Sequence, residues 1–591
     1  MVDPTAFQSG YVETLRAQAD QSREFGEQSL TPDGFWRRTQ NSWHGGAGDR
    51  EFDGDTSEVQ RDQFLISTGI DPWTRGQAKL LSSTKNVMST GISNILKLVT
   101  ANDVLYVANI GAGSYRTLNP SVSDPVSVGS PINDMASSGT RVWFATNNGI
   151  RRVFDGVFLA IQGSGEVKYD TVAFVSGRLM ASRAHWLYNF STDDSSGTAP
   201  DPLNTFLVQP GWRWNCWGSG LTHIYAGGYA GDKSAVYKIT IRDDGTALGA
   251  PSIACQLPDG EIIRCITGYI GVVVLGTSLG FRIATISGGN LTYGPLVEIN
   301  GGVHALEPQG RFVWFTWGNQ EQPYSLPRRS GVGRMDLSYF PRQPLVPAYA
   351  NDMLAEDDNR EAVRSVATYR NTIVFAIDGN AIQNARVYRQ DLQSFVTEGW
   401  LVSGSVGFDL AEDKIFTRFN LRMAEGLGAG AKVEPSIGPV AFTTVGRGST
   451  LSYNWGLGLD GFVAGASSDT YTVGLHVFRG TNAALTPKIS RWTLSVVPKA
   501  PSQVRLYSLP LIFREAVRDL NAQDQRMDPW AELEALQVLR EGTTFVDLQL
   551  FDRTFQAVVD MVSFGDGEST DYERNLRGLQ GICIVRLKVY L

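Results

Sequence analysis

The sequence predicts a mainly β protein: a seven-bladed β-propeller, then a β-sandwich of jelly-roll type, then a small α+β, barrel-like C-terminal domain. Three observations predict it. A strongly apolar segment, opening on a large side chain, recurs seven times between about residues 92 and 391. Each copy follows a shorter segment of alternating polarity and precedes a third strand-like segment, with turn residues between. The 591 residues are rich in glycine (63) and aromatics (10%) and poor in charge (19%), as many short strands joined by tight turns require.

The recurring segment reads LYVAN from Leu105, VWFAT from Val142, LMASR from Leu179 and IYAGG from Ile224, then VVLGT from Val273, VWFTW from Val313 and IVFAI from Ile373. The starts lie 37, 37, 45, 49, 40 and 60 residues apart. One four-stranded blade uses ~40–50 residues. Segments such as YDTVAFVSGR and VRSVATYRN precede the apolar strand, and GIRRVFD, SAVYKITI and GFRIATIS follow it. Alternation puts one set of side chains on each face of a sheet, whereas a continuous apolar strand must be covered on both faces. Radially stacked sheets meet both demands, which places the propeller at residues 86–395.

Residues 1–85 do not carry the repeat and read as an N-terminal arm. Thr5 to Gln28 reads as a polar helix, followed by a glycine-rich, acidic loop; a helix polar on most faces needs a partner to be stable. FLIST at Phe64 to Thr68 is a candidate closing strand for the last blade. After the propeller, WLVSGSVGF, KIFTRFNLRMA, YTVGLHVFRG and ISRWTLSVVP lie between turn clusters without helical period, a β-sandwich over 396–500. In the last part, 501–591, Asp528 before Pro529 opens a short helix in DPWAELEALQVLR, flanked by TTFVDLQLF, QAVVDMVSF and CIVRLKVYL.

This order of parts carries a resemblance. A sandwich ending in a Trp-x-Leu strand and Pro, then LYSLPLIF, the DPWAELEALQVL helix and GTTFVDLQLFDRTFQAVVDMVSF, resembles the C-terminal part of minor tail proteins of long-tailed phages infecting actinobacteria. FLISTGIDPWTRGQAKLL, from Phe64 to Leu81, resembles the front of that group. The resemblance implies a virion component of the tail tip or baseplate, made in the host cytoplasm. It implies other tail and baseplate proteins as partners, a homo-oligomer around the tail axis, and a host envelope glycan or receptor as the target. The C-terminal domain is then similar to the barrels that attach such proteins to a tail hub.

Composition and motifs exclude several chemistries. A net charge of -8, without a polybasic run, argues against nucleic-acid binding. No stretch approaches the ~20 apolar residues of a membrane span, and the polar start of the chain is no secretory signal, so a soluble product is expected. Cys216, Cys255, Cys265 and Cys583 are too scattered for a zinc ribbon or a disulfide framework; they read as small buried hydrophobes, with a Cys255–Cys265 bridge left open. GTSLG around Ser278 and GLGLDG from Gly456 match short catalytic and nucleotide-binding patterns but lie between strands, without the required helix. Asp243, Asp244 and Gly245 form only a fragment of a sialidase-type Asp box. His44, His185, His223, His304 and His476 lack the spacing of a zinc site. The acidic loops at Asp53–Glu58, Asp193–Asp194, Glu356–Glu361 and Asp566–Asp571 do not match a Ca²⁺ loop and read as solvated turns. No cofactor, metal or catalytic residue is expected, and the protein is read as a non-enzyme.

The candidate ligand or partner contacts are aromatic and basic. Trp212, Trp214 and Trp217 cluster in PGWRWNCWGSG, and Trp314 and Trp317 in VWFTWGN. Such faces either fill the space between blades or stack on sugars and anchor interfaces. The long insertion behind the 60-residue spacing supplies Tyr324, Arg328, Arg329 and Tyr339, since an insertion must leave the compact blade. The rival reading is a propeller glycan hydrolase using paired carboxylates, or a lectin-like binder of envelope polysaccharide.

Overall fold

The computed structural model describes residues 36–590 apart from 53–61, 90–95, 120, 155–156, 161–166, 191–210, 221, 242–247, 321–328, 342–344, 355–361, 379–384, 409–412, 439, 442–451, 457–466, 499–503, 514–515, 519–523, 527, 542–544, 551–552 and 567–580. Thr5 to Gln28, the Asp243–Gly245 fragment, and most of the GLGLDG stretch and acidic loops lie outside the described residues.

Seven antiparallel sheets follow one another along residues 96–395. The seven apolar segments are their second strands. Val142–Thr146 and Thr372–Ile377 are buried at every residue, as strands covered on both faces must be. Several hairpins into these strands turn on two residues with positive φ: Asn102–Asp103 (48 and 58°), Ile270–Gly271 (50 and 78°) and Arg370–Asn371 (48 and 58°). Turns of that hand match the right-handed twist of the strands they join.

The first strands pack on one another in chain order. Leu96–Ala101 touches Ile132–Ser137, and the succession runs on through Thr171–Val175, Arg213–Ser219, Ile263–Tyr269, Leu306–Gln309 and Val363–Tyr369. The last of these packs back on Leu96–Ala101, where Leu98 N donates to Ser365 Oγ (3.0 Å) and Thr100 Oγ1 to the Thr368 carbonyl (2.8 Å). Each neighbouring pair of sheets shares its own apolar cluster. Trp143, Ala145 and Leu179 join the second to the third; Leu98, Leu105, Val374 and Val387 join the seventh to the first.

The seventh sheet takes its outer strand from the other end of the chain. Ser82–Ser89 pairs antiparallel with Arg386–Phe395. Sequence pattern had offered Phe64–Thr68 for this place, but Ile66–Thr68 pairs with Glu398–Val406 in another sheet, and the Phe64 ring is fully buried there.

That other sheet belongs to a two-sheet unit. One sheet orders Ile66–Thr68, Glu398–Val406, Tyr471–Phe478, Lys432–Ile437 and Val440–Ala441; its companion is centred on Lys414–Met423 and Lys488–Pro498. The companion also receives Trp36–Gln40, Ile70–Asp71 and Ala78–Leu80. Trp43, Phe52, Phe64 and Trp73 enter the same core as Phe416, Phe419, Leu475 and Trp492. Of the expected arm, the described residues between 36 and 81 are therefore an integral part of the sandwich, and Ser82 onward belongs to the seventh sheet. The reason is physical: these four aromatics bury more area in that core than any exposed arm would allow, at roughly 25 cal/mol per Å² of apolar surface.

The C-terminal unit has a separate core. Four antiparallel strands run in the order Val504–Phe513, Gly581–Tyr590, Arg553–Asp566, Phe545–Leu550. Helix Pro529–Glu541 lays Leu533, Leu536 and Leu539 on the face carrying Ala557, Val559, Val585 and Leu587. Asp528 caps it as the sequence predicts, its Oδ1 accepting from Ala531 N (3.3 Å).

Candidate functional site

The inner edge of the sheet circuit carries a repeated irregularity. In four first strands one residue is squeezed out of register with the second strand: Asn133, Asn215, Arg264 and Arg364. A β-bulge re-aims its side chain and leaves its backbone out of the ladder. Here the side chains turn toward the next sheet. Asn133 Nδ2 donates to the Tyr169 carbonyl (2.7 Å), Asn215 Nδ2 to the Ile263 carbonyl (2.8 Å) and Arg264 Nη1 to the Gly301 carbonyl (3.0 Å). Arg364 Nε donates instead to Asp378 Oδ2 of its own sheet (2.6 Å).

Two of these bulged residues converge on His304. Arg264 Nη1 lies 2.8 Å from His304 Nε2, and Arg364 Nη1 lies 2.9 Å from His304 Nδ1 and 3.2 Å from Nε2. Burial and the two guanidinium charges push the His304 imidazole down to about 3, so it is neutral at physiological pH. Burial and the like charge of Arg364 also lower Arg264. Glycine is required beside this group. Gly301 and Gly302 stand at φ 80 and 69°, and a Cβ on Gly302 would come 2.8 Å from Arg264 Nη1.

Farther along the same first strands, Lys97 Nζ meets Asp134 Oδ1 at 2.9 Å, and Asp134 holds the ammonium above its ordinary value. Asp134 Oδ2 also accepts from Val172 N (3.0 Å), tying the second sheet to the third. Glu307 Oε1 accepts from Thr368 N (2.9 Å) across the sixth and seventh sheets, with its carboxyl raised by burial.

A second cluster joins the sixth sheet to the sandwich. The Arg334 guanidinium pairs through Nε with Asp352 Oδ2, and through Nη2 with Asp71 Oδ1 at 3.2 Å. Trp73 Nε1 donates to Asp352 Oδ2 (3.0 Å). The same guanidinium lies over the rings of Trp314 (4.9 Å), Phe312 (5.3 Å) and Trp73 (5.6 Å). Asp352 is fully buried, and burial pushes its carboxyl up to about 7 against the pull of Arg334.

The expected aromatic contacts are core. Trp212, Trp214 and Trp217 are 4–8% exposed and fill the space between the third and fourth sheets. Trp214 Nε1 donates to the His185 carbonyl (2.9 Å) and Trp217 Nε1 to Thr171 Oγ1 (2.8 Å), both on the third sheet or its turns. Trp317 packs between the fifth and sixth sheets, Trp314 between the sixth and seventh. None of the five presents a face for a sugar, because each is buried in an apolar cluster shared by two neighbouring sheets. Tyr339 packs at the sandwich edge, stacked on His44 with centroids 5.2 Å apart. Tyr324 and Arg328 lie outside the described residues; Arg329 opens the strand Arg329–Asp336.

Other sequence candidates separate in space. Cys255 sits on the fourth strand of the fourth sheet and Cys265 on the first strand of the fifth, and all four cysteines are free. Burial pushes the Cys255 and Cys265 thiols up to about 12. Ser278 lies in a hairpin turn, its Oγ accepting from Ile262 N (3.0 Å). His476 contacts Glu398 (3.0 Å) and Glu434 (3.8 Å) on the sandwich. Among the described residues no group of His, Cys, Asp and Glu is arranged to hold a metal, and no helix is long and apolar enough to cross a membrane. A 360 Å³ pocket lined by Asn41, Arg422, Met423, Ala424, Ser490 and Arg491 opens on the sandwich, remote in sequence from both clusters.

Sequence reasoning missed Arg264, His304 and Arg364. Aligning the first strands on the apolar residues Ile132, Trp214, Ile263 and Val363 would have brought the polar residues Asn133, Asn215, Arg264 and Arg364 into one column.

No family model matches the chain, and no curated protein matches it in sequence. Among solved structures it is similar to a computationally designed protein, Ika8, at 12% identity and TM-score 0.33, over 55% of this chain and 96% of that one. It is also similar to the extracellular domain of a putative one-component system, BT4673, from B. thetaiotaomicron. That match has 10% identity and TM-score 0.36, over 59% of this chain and 45% of that one.

Proposed function

We propose that this chain is a structural virion protein of a phage tail tip, built as a seven-bladed β-propeller fused to a sandwich and a small C-terminal attachment domain, and contributing to tail assembly and host adsorption. The observation that carries the reading is the order of parts: a circuit of seven sheets, a sandwich that takes strands from both sides of it, and a C-terminal sheet and helix with their own core. The same order is found in the resemblance to actinobacteriophage minor tail proteins. The joint at Arg334 supports a rigid display, since it couples the circuit to the sandwich through a buried charged contact. In this reading the protein is not an enzyme. It assembles with other tail and baseplate proteins around the tail axis and faces a host-envelope glycan or receptor, where repeated copies multiply weak contacts.

The test is labelled antibody on native particles under the electron microscope. Decoration of tail ends is expected, together with slower phage adsorption when free protein is added to cells. Label on capsids alone, or on no particle, removes the assignment.

A further inference from the structure

We infer that Arg264, His304 and Arg364 form an oxyanion-binding site at the inner edge of the fifth, sixth and seventh sheets, taking a carboxylate or phosphoryl group. The inference rests on this cluster alone and does not depend on where the protein works.

The argument begins from crowded donors. The Nη1 atoms of Arg264 and Arg364 lie 2.8 and 3.2 Å from the same imidazole nitrogen, Nε2 of His304, and the Gly301 carbonyl serves both Arg264 and the imidazole. Each guanidinium carries five N–H donors and no acceptor. An oxygen with free lone pairs takes up donors that this group leaves over, and its negative charge offsets the repulsion between the two guanidinium groups.

Charge points the same way. Asp378 balances Arg364, but Arg264 meets no carboxylate among the described residues; its contacts are the Gly301 carbonyl and the imidazole. Solvent reaches the group, since the Arg364 side chain is 36% exposed. The bulges at Arg264 and Arg364 bring the two forks together, and the left-handed Gly301–Gly302 pair leaves room for the first of them. Bulges that re-aim side chains occur at the rims of closed sheets and beside binding sites.

The experiment is calorimetric titration of the full chain at constant ionic strength with inorganic phosphate, with glucuronate and with glucose. Saturable binding of phosphate or glucuronate is expected, and none of glucose. Phosphate binding alone assigns a phosphoryl group, and glucuronate binding alone a carboxylate. Arg264→Gln and Arg364→Gln should each weaken binding by about tenfold or more, the loss of one charge-assisted contact. Arg264→Lys keeps the charge and serves as the folding control, with intermediate affinity. The inference is overturned if neither anion gives a saturable signal up to about 20 mM, a ceiling well above the affinity expected of paired Arg forks. Binding that is unchanged in folded Arg264→Gln also overturns it.

Discussion

Replacing Arg334 with methionine should loosen the joint between the sixth sheet and the sandwich, and the structure sets the size of the effect. Arg334 is 15% exposed at the side chain, Asp352 0% and Asp71 19%, so the guanidinium is the counter-ion of two largely desolvated carboxylates. Removing one partner of a buried pair costs about 3–5 kcal/mol, because the other charge is left uncompensated. Three aromatic faces lose their cation as well, at about 0.5–1 kcal/mol each where solvent still reaches the site. The cost should depend on pH. The Asp352 carboxyl titrates near 7 in the folded chain and near 3.9 when unfolded. Its folded pKa is the higher one, so the native state binds the proton more tightly; that stabilisation is complete below about pH 4 and lost as pH rises through about 7. In Arg334→Met the carboxyl must stay protonated, so the penalty is largest at pH 8 and smaller at pH 5.5. Urea unfolding followed by tryptophan fluorescence reads this directly, since Trp73 and Trp314 lie against Arg334. In an Asp352→Asn background the same substitution should cost about 1–3 kcal/mol less. A penalty below about 1 kcal/mol at pH 8, where about 3–5 is expected, or an equal penalty in both backgrounds, refutes the joint.

His304 gives a prediction of opposite sign. Its folded pKa near 3 lies below the unfolded value of about 6.5, so its contribution is present above pH 6.5 and lost as pH falls toward 3; between pH 7 and 5 the wild type should lose about 1 kcal/mol more than His304→Asn, after allowance for partial solvent exposure. Paired urea midpoints at the two pH values check it. Met88→Asp should open the seventh sheet by placing a charge in the cluster that joins it to the first, and limited proteolysis should then cut within 82–395 under conditions where the wild type resists. Trp217→Phe should cost about 1 kcal/mol through loss of the bond to Thr171, measured as a lowered Tm. Ellman's reagent at pH 8 should label none of the four cysteines in the native chain and all four in guanidinium, because burial keeps the Cys255 and Cys265 thiols protonated, near 12.

The sequence by itself determined the local units. Seven apolar strands from Leu105 to Ile377 are legible because a strand covered on both faces must be apolar at every position, a condition set by neighbouring residues alone. The helix at Pro529 is legible for the same kind of reason, since its cap and first residue adjoin in sequence. Tertiary structure decided what depended on distant partners. Ser82–Ser89 reads SSTKNVMS, a polar string with no strand pattern, and becomes a strand because Arg386–Phe395 offers an open edge. The described residues between 36 and 81 enter the sandwich through pairings such as Thr39 with Thr493, which no local window contains. The Trp residues read from sequence more readily as core fillers than as contact faces, and their burial in clusters shared by neighbouring sheets placed them inside. Arg264, His304 and Arg364 are separated by 40 and 60 residues, and met because bulges in strands of different sheets turn their side chains to one point. Hydrogen-bond geometry of that kind is fixed by the packing of sheets, which sequence periodicity specifies only one sheet at a time.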